Sequence, residues 1–138
     1  MKVLSLYQPW ATLVVIGAKR YETRSWRTNY HGPLLIHASK RFSKENRGLT
    51  TEPMFYNAMR ISKFRHISGY PTGAIVGKVV LVSCVRTEDV IEEISEQEYA
   101  FGNYESGRWA WQLVKHEEFE NPIPAKGSLG IWEFTEVA

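Results

Sequence analysis

Three ionisable residues lie close together in the sequence: the basic Lys19 and Arg24 and the acidic Glu22. Glu22 and Arg24 are two positions apart, so their side chains share one face if this stretch forms a strand. Lys19 joins them if the chain turns just after Gly17. A carboxylate held between two cations stays ionised and leaves part of their donor capacity for a phosphate or a base edge. The spacing therefore predicts a small charged cleft that binds a polar or anionic ligand.

Aromatic residues near these charges could provide a flat surface for a nucleobase, and stacking contributes about 1–3 kcal/mol per base. The alternative is an ion-pair network that only orients the first helix against the sheet. The nearby tryptophans and the lysine that follows the expected helix end at Gly17 favour a binding site. The aromatic candidates are Trp10, Tyr21, Trp26 and Trp109.

Two other segments are weaker candidates for the same site. Ser39 and Lys40 follow a strand and could contact phosphate, although a solvated loop end explains them equally well. Tyr104 and Arg108 belong to a glycine-containing loop that could close over the cleft. The four histidines have no metal-ligand spacing, so we expect neither a metal nor another cofactor.

The composition indicates one ordinary globular domain over residues 1–138. The chain has 43% hydrophobic and 23% charged residues and a net charge of +2, which allows nucleic-acid binding without requiring it. Cations dominate the first half, and acids cluster from Glu88 to Glu98 and from Glu117 to Glu120. The single cysteine, Cys84, lies in an apolar run and is expected to be buried. With no signal peptide pattern and no membrane-length apolar run, we expect a cytoplasmic protein without membrane contact.

The elements that must position these residues are mostly strands. The apolar periodicity predicts about six strands with brief helices between them, which is typical of a small mixed barrel, in the α+β class and mainly β. Trp111 and Trp132 alternate with smaller residues and are expected in the core. The strands are expected at residues 2–6, 20–26, 33–38, 74–85, 108–114 and 129–134, with a bend or bulge at Gly77. Helices are expected at residues 8–16, within 41–66, at 87–94 and from Ser95, which fits a capping box with Glu98.

Three ordered segments, residues 5–11, 17–26 and 32–40, resemble the ASCH family of the PUA-like superfamily. The second segment contains the pattern G-x-K-x-x-E-x-R in full, at Gly17, Lys19, Glu22 and Arg24. The resemblance extends to residues 73–77 and 107–111 and so covers nearly the whole chain. It implies a PUA-like β-barrel with a cleft beside the first helix and a role in RNA-linked processes.

The residues and the resemblance together leave three functions open. The first is binding of RNA or a modified nucleotide. The second is a small hydrolase, an amidohydrolase of N-acylated cytidine or a ribonuclease, with Lys19 and Glu22 as catalytic residues. Such family enzymes are implied to use a threonine where this sequence has Glu22, which argues against the amidohydrolase. The third is a protein-interaction adaptor that uses the helical stretch from Pro53 to His66.

Overall fold

The computed structural model describes residues 1–65 and 69–135, and within them the chain folds into a strand-rich domain with short helices. The strands are β1 (Lys2–Leu6), β2 (Tyr21–Arg24), β3 (Gly32–Ala38), β4 (Ala74–Arg86), β5 (Trp109–Pro124) and β6 (Ile131–Glu133). The helices are α1 (Trp10–Val15), α2 (Lys44–Leu49), α3 (Pro53–Met59) and α4 (Glu96–Ala100), with a 3₁₀ turn at Thr87–Asp89.

All six strands join one mixed sheet in the order β2-β5-β4-β3-β1-β6. β1 and β3 are parallel, and the other neighbours are antiparallel. The sheet curls into a half-barrel around a core of aliphatic side chains from β1, β3, β4 and α1. The predicted class, mainly β with short surrounding helices, is confirmed.

Gly77 lies at an irregularity in β4, where the register with β5 shifts between Ile75 and Gly77. A side chain here would approach the carbonyl oxygen of Glu117 and come within 2.5 Å of Val15 Cγ1. Only glycine leaves room for α1 to pack so closely on the sheet. The strand irregularity expected at Gly77, a bend or a bulge, is therefore confirmed.

Helix α1 is short and buried on most of its surface. The Gln8 side chain accepts a hydrogen bond from the Thr12 N–H (3.1 Å), which satisfies a donor in its first turn. Gly17 ends the helix with φ +82°, a conformation that favours glycine. The chain then folds back, because the Lys19 N–H donates to the Leu13 carbonyl at 3.0 Å. This reversal directs Lys19 toward β2.

Several expected elements differ from the structure. The helix expected at residues 87–94 is only a 3₁₀ turn, because the Thr87 hydroxyl donates to the Glu105 carbonyl (2.7 Å) instead of capping a helix. Ser95 does cap α4, but the Glu98 carboxylate accepts from the N–H groups of Arg20 and Tyr21, so the reciprocal bond of a capping box is absent. β5 continues to Pro124, through part of the expected turn.

The core contains most of the expected large side chains. Trp111 is fully buried, and Trp132 is partly buried against Val3, Leu35 and Ile75. Cys84 is only half-buried, because β4 leaves the core toward its C-terminal end. The stretch expected to be helical from residue 41 to 66 forms α2 and α3, and its last residue lies outside the described ranges.

Candidate functional site

A cleft of about 870 Å³ opens beside the N-terminus of α1. Its walls come from the C-terminal ends of β1 and β3, from β2, from the end of α4 and the loop that follows it (residues 100–103), and from the loop at residues 127–130. The cleft gathers residues that are far apart in sequence because β1 and β3 are adjacent and parallel, so their C-terminal ends meet at one edge.

Lys19, Glu22 and Arg24 converge on the wall of this cleft. The Lys19 ammonium lies 3.5 Å from Glu22 Oε1 and donates a hydrogen bond to the Tyr21 carbonyl. Arg24 Nε donates to Glu22 Oε2 at 2.8 Å, and Arg24 Nη2 donates to the Ser5 carbonyl at 3.1 Å. The side chains of Lys19 and Glu22 are 2% and 10% exposed, and that of Arg24 is 25% exposed. Arg24 is therefore the member of the network that a ligand can reach most easily.

The charge of the cleft lining is predominantly positive. The basic side chains in the lining are Lys19, Arg24, Lys40 and Arg108, whereas Glu22 supplies its one carboxylate. Arg108 is held by two backbone carbonyl groups: its Nε donates to that of Asn103 (3.2 Å), and its Nη2 donates to that of Thr23 (3.4 Å). Lys40 is exposed at the end of β3. Such a lining attracts anions.

His37 and Ser5 also line the cleft, although no pattern in the sequence indicated them. His37 is 2% exposed, and its Nε2 donates to the Ala125 carbonyl at 2.8 Å. Its Nδ1 lies 3.0 Å from Ser5 Oγ, which accepts a hydrogen bond from Trp132 Nε1 at 3.0 Å. This chain of hydrogen bonds joins three strands and lies next to Gly127 of the loop at residues 127–130. Ser5 and His37 are register partners in β1 and β3, a pairing that no local pattern reveals.

The aromatic candidates separate into two groups. Trp10 is half-buried and lines the cleft, together with Tyr7, which is 53% exposed. Tyr7 was not selected from the sequence. Trp26 and Trp109 do not line the cleft, and Tyr21 packs against the cluster of Val90, Tyr104 and Ala110.

Of the loop candidates, Ser39, Lys40 and Arg108 line the cleft, whereas Tyr104 does not. Tyr104 is 5% exposed and stacks on Tyr99, with ring centroids 6.0 Å apart. Burial raises the pKa of its phenol well above the ordinary value, and the nearby Glu98 carboxylate adds to the shift. Asn103 lines the cleft from the same loop.

Within residues 1–65 and 69–135, no group of three His, Cys, Asp or Glu side chains could hold a metal ion. None of the helices in these ranges is both long and apolar enough to cross a membrane.

The curled mixed sheet and its cleft beside the first helix have the architecture expected of a small PUA-like domain. An ASCH domain family model matches residues 4–123, so the chain belongs to the ASCH domain family.

The relatives agree with this assignment. The chain is 30% identical over 131 residues to activating signal cointegrator 1 of Mus musculus and 28% identical over 130 residues to the Homo sapiens protein of that name. Each alignment covers 94% of this chain, which spans 22% of the length of either relative.

Two crystal structures from Zymomonas mobilis have a similar fold, those of its ASCH protein and of a tyrosine-to-phenylalanine mutant of that protein. Their TM-scores are 0.51, and their sequence identities are 19% and 20%, respectively. In both cases the similarity covers 88% of this chain; it covers 71% of the ASCH protein and 73% of the mutant.

Proposed function

We propose that this protein binds RNA or a modified nucleotide in the cleft. The observation that carries the proposal is the composition of the cleft lining, which contains four basic side chains, one carboxylate and the indole of Trp10. Phosphate contacts account for much of the affinity of nucleic-acid-binding proteins, and arginine matches phosphate geometry with several donors at once.

The hydrogen bonds of the two cleft arginines support this function. Each uses two of its guanidinium nitrogens on protein acceptors, which fixes the side chain but leaves further N–H donors for a ligand. Arg24 and Arg108 are thereby oriented before a ligand arrives, which reduces the entropy cost of binding. Lys40 adds an exposed charge at the rim, and Trp10 provides a ring on which a base can stack.

The test is the affinity of a fluorescent single-stranded RNA octanucleotide of mixed sequence, measured at several salt concentrations. We expect Arg24→Ala to weaken binding about tenfold and to lower the salt slope by about 0.7, the value for one lost phosphate contact on a single strand. Lys40→Ala should have a smaller effect in the same direction. Lys44→Ala removes an exposed lysine from α2, away from the cleft, and serves as the control.

Binding that resists salt and survives both Arg24→Ala and Lys40→Ala would refute the proposal. An unchanged melting temperature in each variant is required, so that lost affinity is not confused with lost folding.

A hydrolase remains the second candidate because Lys19 and Glu22 lie side by side in the cleft wall. The contacts of Lys19 argue against it, since the Tyr21 carbonyl and the Glu22 carboxylate both engage its side-chain nitrogen and the side chain is only 2% exposed. A base or nucleophile must reach the substrate directly. Turnover of N4-acetylcytidine or of RNA that disappears in Lys19→Ala, with folding retained, would favour the enzyme.

The adaptor function has less support. Phe55 and Met59, the apolar side chains of α3 that could form an interface, are 8% and 1% exposed and pack with Leu13 and Phe101. They are therefore occupied by the core of this chain.

A further inference from the structure

A second cationic and aromatic cluster outside the cleft is centred on Trp109, and together with Trp26, which precedes Arg27 in the chain, we call it the arginine–tryptophan patch. It consists of Trp26, Arg27, Arg86 and Trp109. The guanidinium carbon of Arg86 lies 4.7 Å from the centroid of the Trp109 ring, and that of Arg27 lies 5.7 Å from it. Both arginines are exposed.

Strand pairing connects this patch to the cleft. Trp109 pairs with Arg24 of β2 on one side and with Arg86 of β4 on the other. Directly paired residues point to the same face of a sheet, so Arg24, Trp109 and Arg86 form a row across three strands. Neighbouring strands are about 4.8 Å apart, so the backbone positions of Arg24 and Arg86, which are two strands apart, are separated by roughly 10 Å.

Trp26 occupies the space beside Arg24. Its ring meets the buried Trp111 edge-on, at 4.8 Å and 85°, and its carbonyl oxygen accepts a hydrogen bond from Trp111 Nε1 at 3.4 Å. The ring is thus held in place, yet the residue is 37% exposed. The guanidinium carbon of Arg24 lies 6.0 Å from its centroid. Arg24 therefore touches both regions, because it lines the cleft and approaches the patch.

The patch arginines retain donors for a ligand. Among the described residues, neither Arg27 nor Arg86 has a carboxylate oxygen within 4.0 Å of a side-chain nitrogen. The hydrogen bond that Glu88 accepts from the Gly107 N–H at 2.9 Å is the main cause that lowers the pKa of its carboxyl, and the charge of Arg86 acts in the same direction. One oxygen of the Glu88 carboxylate is thus already engaged by the backbone.

We propose that the patch is a second binding position for the nucleic acid that enters the cleft, so that the ligand is a single-stranded oligonucleotide and not a lone nucleotide. The inference rests on the proposed function of the cleft. One nucleotide occupies the cleft, the backbone passes Arg24, and the next part of the strand meets the Trp26 ring and the guanidinium groups of Arg27 and Arg86. Bases of a single strand stack on aromatic rings and on arginine planes, whereas a duplex hides its base faces.

The experiment compares two probes, a single-stranded RNA octanucleotide and a dinucleotide of the same bases. In the double variant Arg27→Ala/Arg86→Ala, we expect about tenfold weaker binding of the octanucleotide and a salt slope lower by about 1.4, as for two phosphate contacts. Dinucleotide affinity should stay within twofold. The matched control is Arg47→Ala/Arg60→Ala, which removes the same charge, including an arginine stacked 4.4 Å from the Phe42 ring centroid.

Trp26→Ala tests the stacking part of the proposal. We expect it to weaken octanucleotide binding about fivefold or more and to leave the salt slope unchanged, because it removes no charge. Trp26→Phe should restore most of the affinity. If Trp26→Ala lowers the melting temperature, the phenylalanine variant and the arginine variant still decide the question.

The outcomes separate the two proposals. Octanucleotide binding that depends on Arg24 but is unchanged in Arg27→Ala/Arg86→Ala overturns the second position and leaves the cleft proposal intact. Binding of neither probe overturns both. A third outcome is that poly-glutamate, added at equal charge concentration, displaces the octanucleotide to the same extent from wild type and from Trp26→Ala. This would show that the patch binds acidic chains in general, and it would overturn the assignment to nucleic acid.

Discussion

The cleft wall and the cluster around Tyr104 differ in whether their buried polar atoms have hydrogen-bond partners. In the cleft wall, the buried polar groups of Lys19, Glu22 and His37 all have hydrogen-bond or ion-pair partners. In the cluster of Val90, Tyr104 and Ala110, the Tyr104 hydroxyl is the one buried side-chain polar atom without a partner among the described residues. Burial of a polar group costs free energy unless it is bonded, so the paired groups fix the cleft geometry while the hydroxyl weakens the fold.

The largest expected effect comes from breaking the cleft network at Glu22. Glu22→Gln places a neutral amide between Lys19 and Arg24. The NH₂ group of this amide must face one of these two hydrogen-bond donors, and the buried lysine loses its counter-charge. We expect a loss of about 3 kcal/mol in the free energy of unfolding, measured by urea denaturation.

Glu133→Gln is the control for this change. Glu133 pairs with Lys2 at 2.8 Å and with the N-terminal amine at 3.2 Å, but its side chain is 58% exposed. Solvent screens such pairs, so we expect a much smaller loss. Equal losses in the two variants would mean that burial does not distinguish these networks.

The second-largest effect is expected from Gly127→Ala, which tests how closely the cleft wall beside His37 and Ser5 is packed. A Cβ atom at Gly127 would lie 2.7 Å from His37 Cε1 and 2.9 Å from Ser5 Oγ. Both nitrogens of the His37 ring are engaged, so the ring cannot move without losing a hydrogen bond. We expect Gly127→Ala to lower the free energy of unfolding by about 1–3 kcal/mol.

Gly48→Ala is the matched control for Gly127→Ala. Gly48 belongs to α2, and apart from its chain neighbours and the helix backbone no described atom lies within 4 Å of an added Cβ. Alanine should stabilise this helix by about 0.5–1 kcal/mol. A Gly127→Ala protein as stable as wild type would show that the loop at residues 127–130 moves away from His37 without cost.

Local patterns predicted one half of the cleft and missed the other. Alternation within β2 places Glu22 and Arg24 on one face, and the glycine that ends α1 turns Lys19 toward them, so short-range rules were sufficient. The contact between Ser5 and His37 depends on the register of two parallel strands that are distant in sequence, which no short window contains.

The same limit explains the aromatic residues. Strand periodicity tells which residues share a face, but it does not tell which face borders the cleft. Trp109 shares a face with Arg24, yet it lies one strand further from the cleft and contacts Arg27 and Arg86 instead. Tyr104 lies in a loop whose path depends on α4 and β5 together, so its burial could not be read from the glycines around it.

The smallest expected effect comes from the cluster around Tyr104. Tyr104→Phe removes the unpartnered hydroxyl and keeps the ring that stacks on Tyr99. At pH 7 we expect the free energy of unfolding to rise by about 1 kcal/mol, the reverse of the loss in the cleft. A loss of stability would mean that the hydroxyl makes a contact that contributes to the fold.

The pH dependence of the same variant supplies an independent measurement. Burial raises the pKa of Tyr104 in the folded state above its ordinary value near 10, so above about pH 10 the unfolded chain releases this proton first. Folding is therefore favoured by the neutral phenol below that pH, and stability falls as the pH rises further, by up to about 1.4 kcal/mol per pH unit. The stability difference between Tyr104→Phe and wild type should widen between pH 10 and 11. A constant difference would show that the Tyr104 phenol titrates as freely in the folded protein as in the unfolded chain.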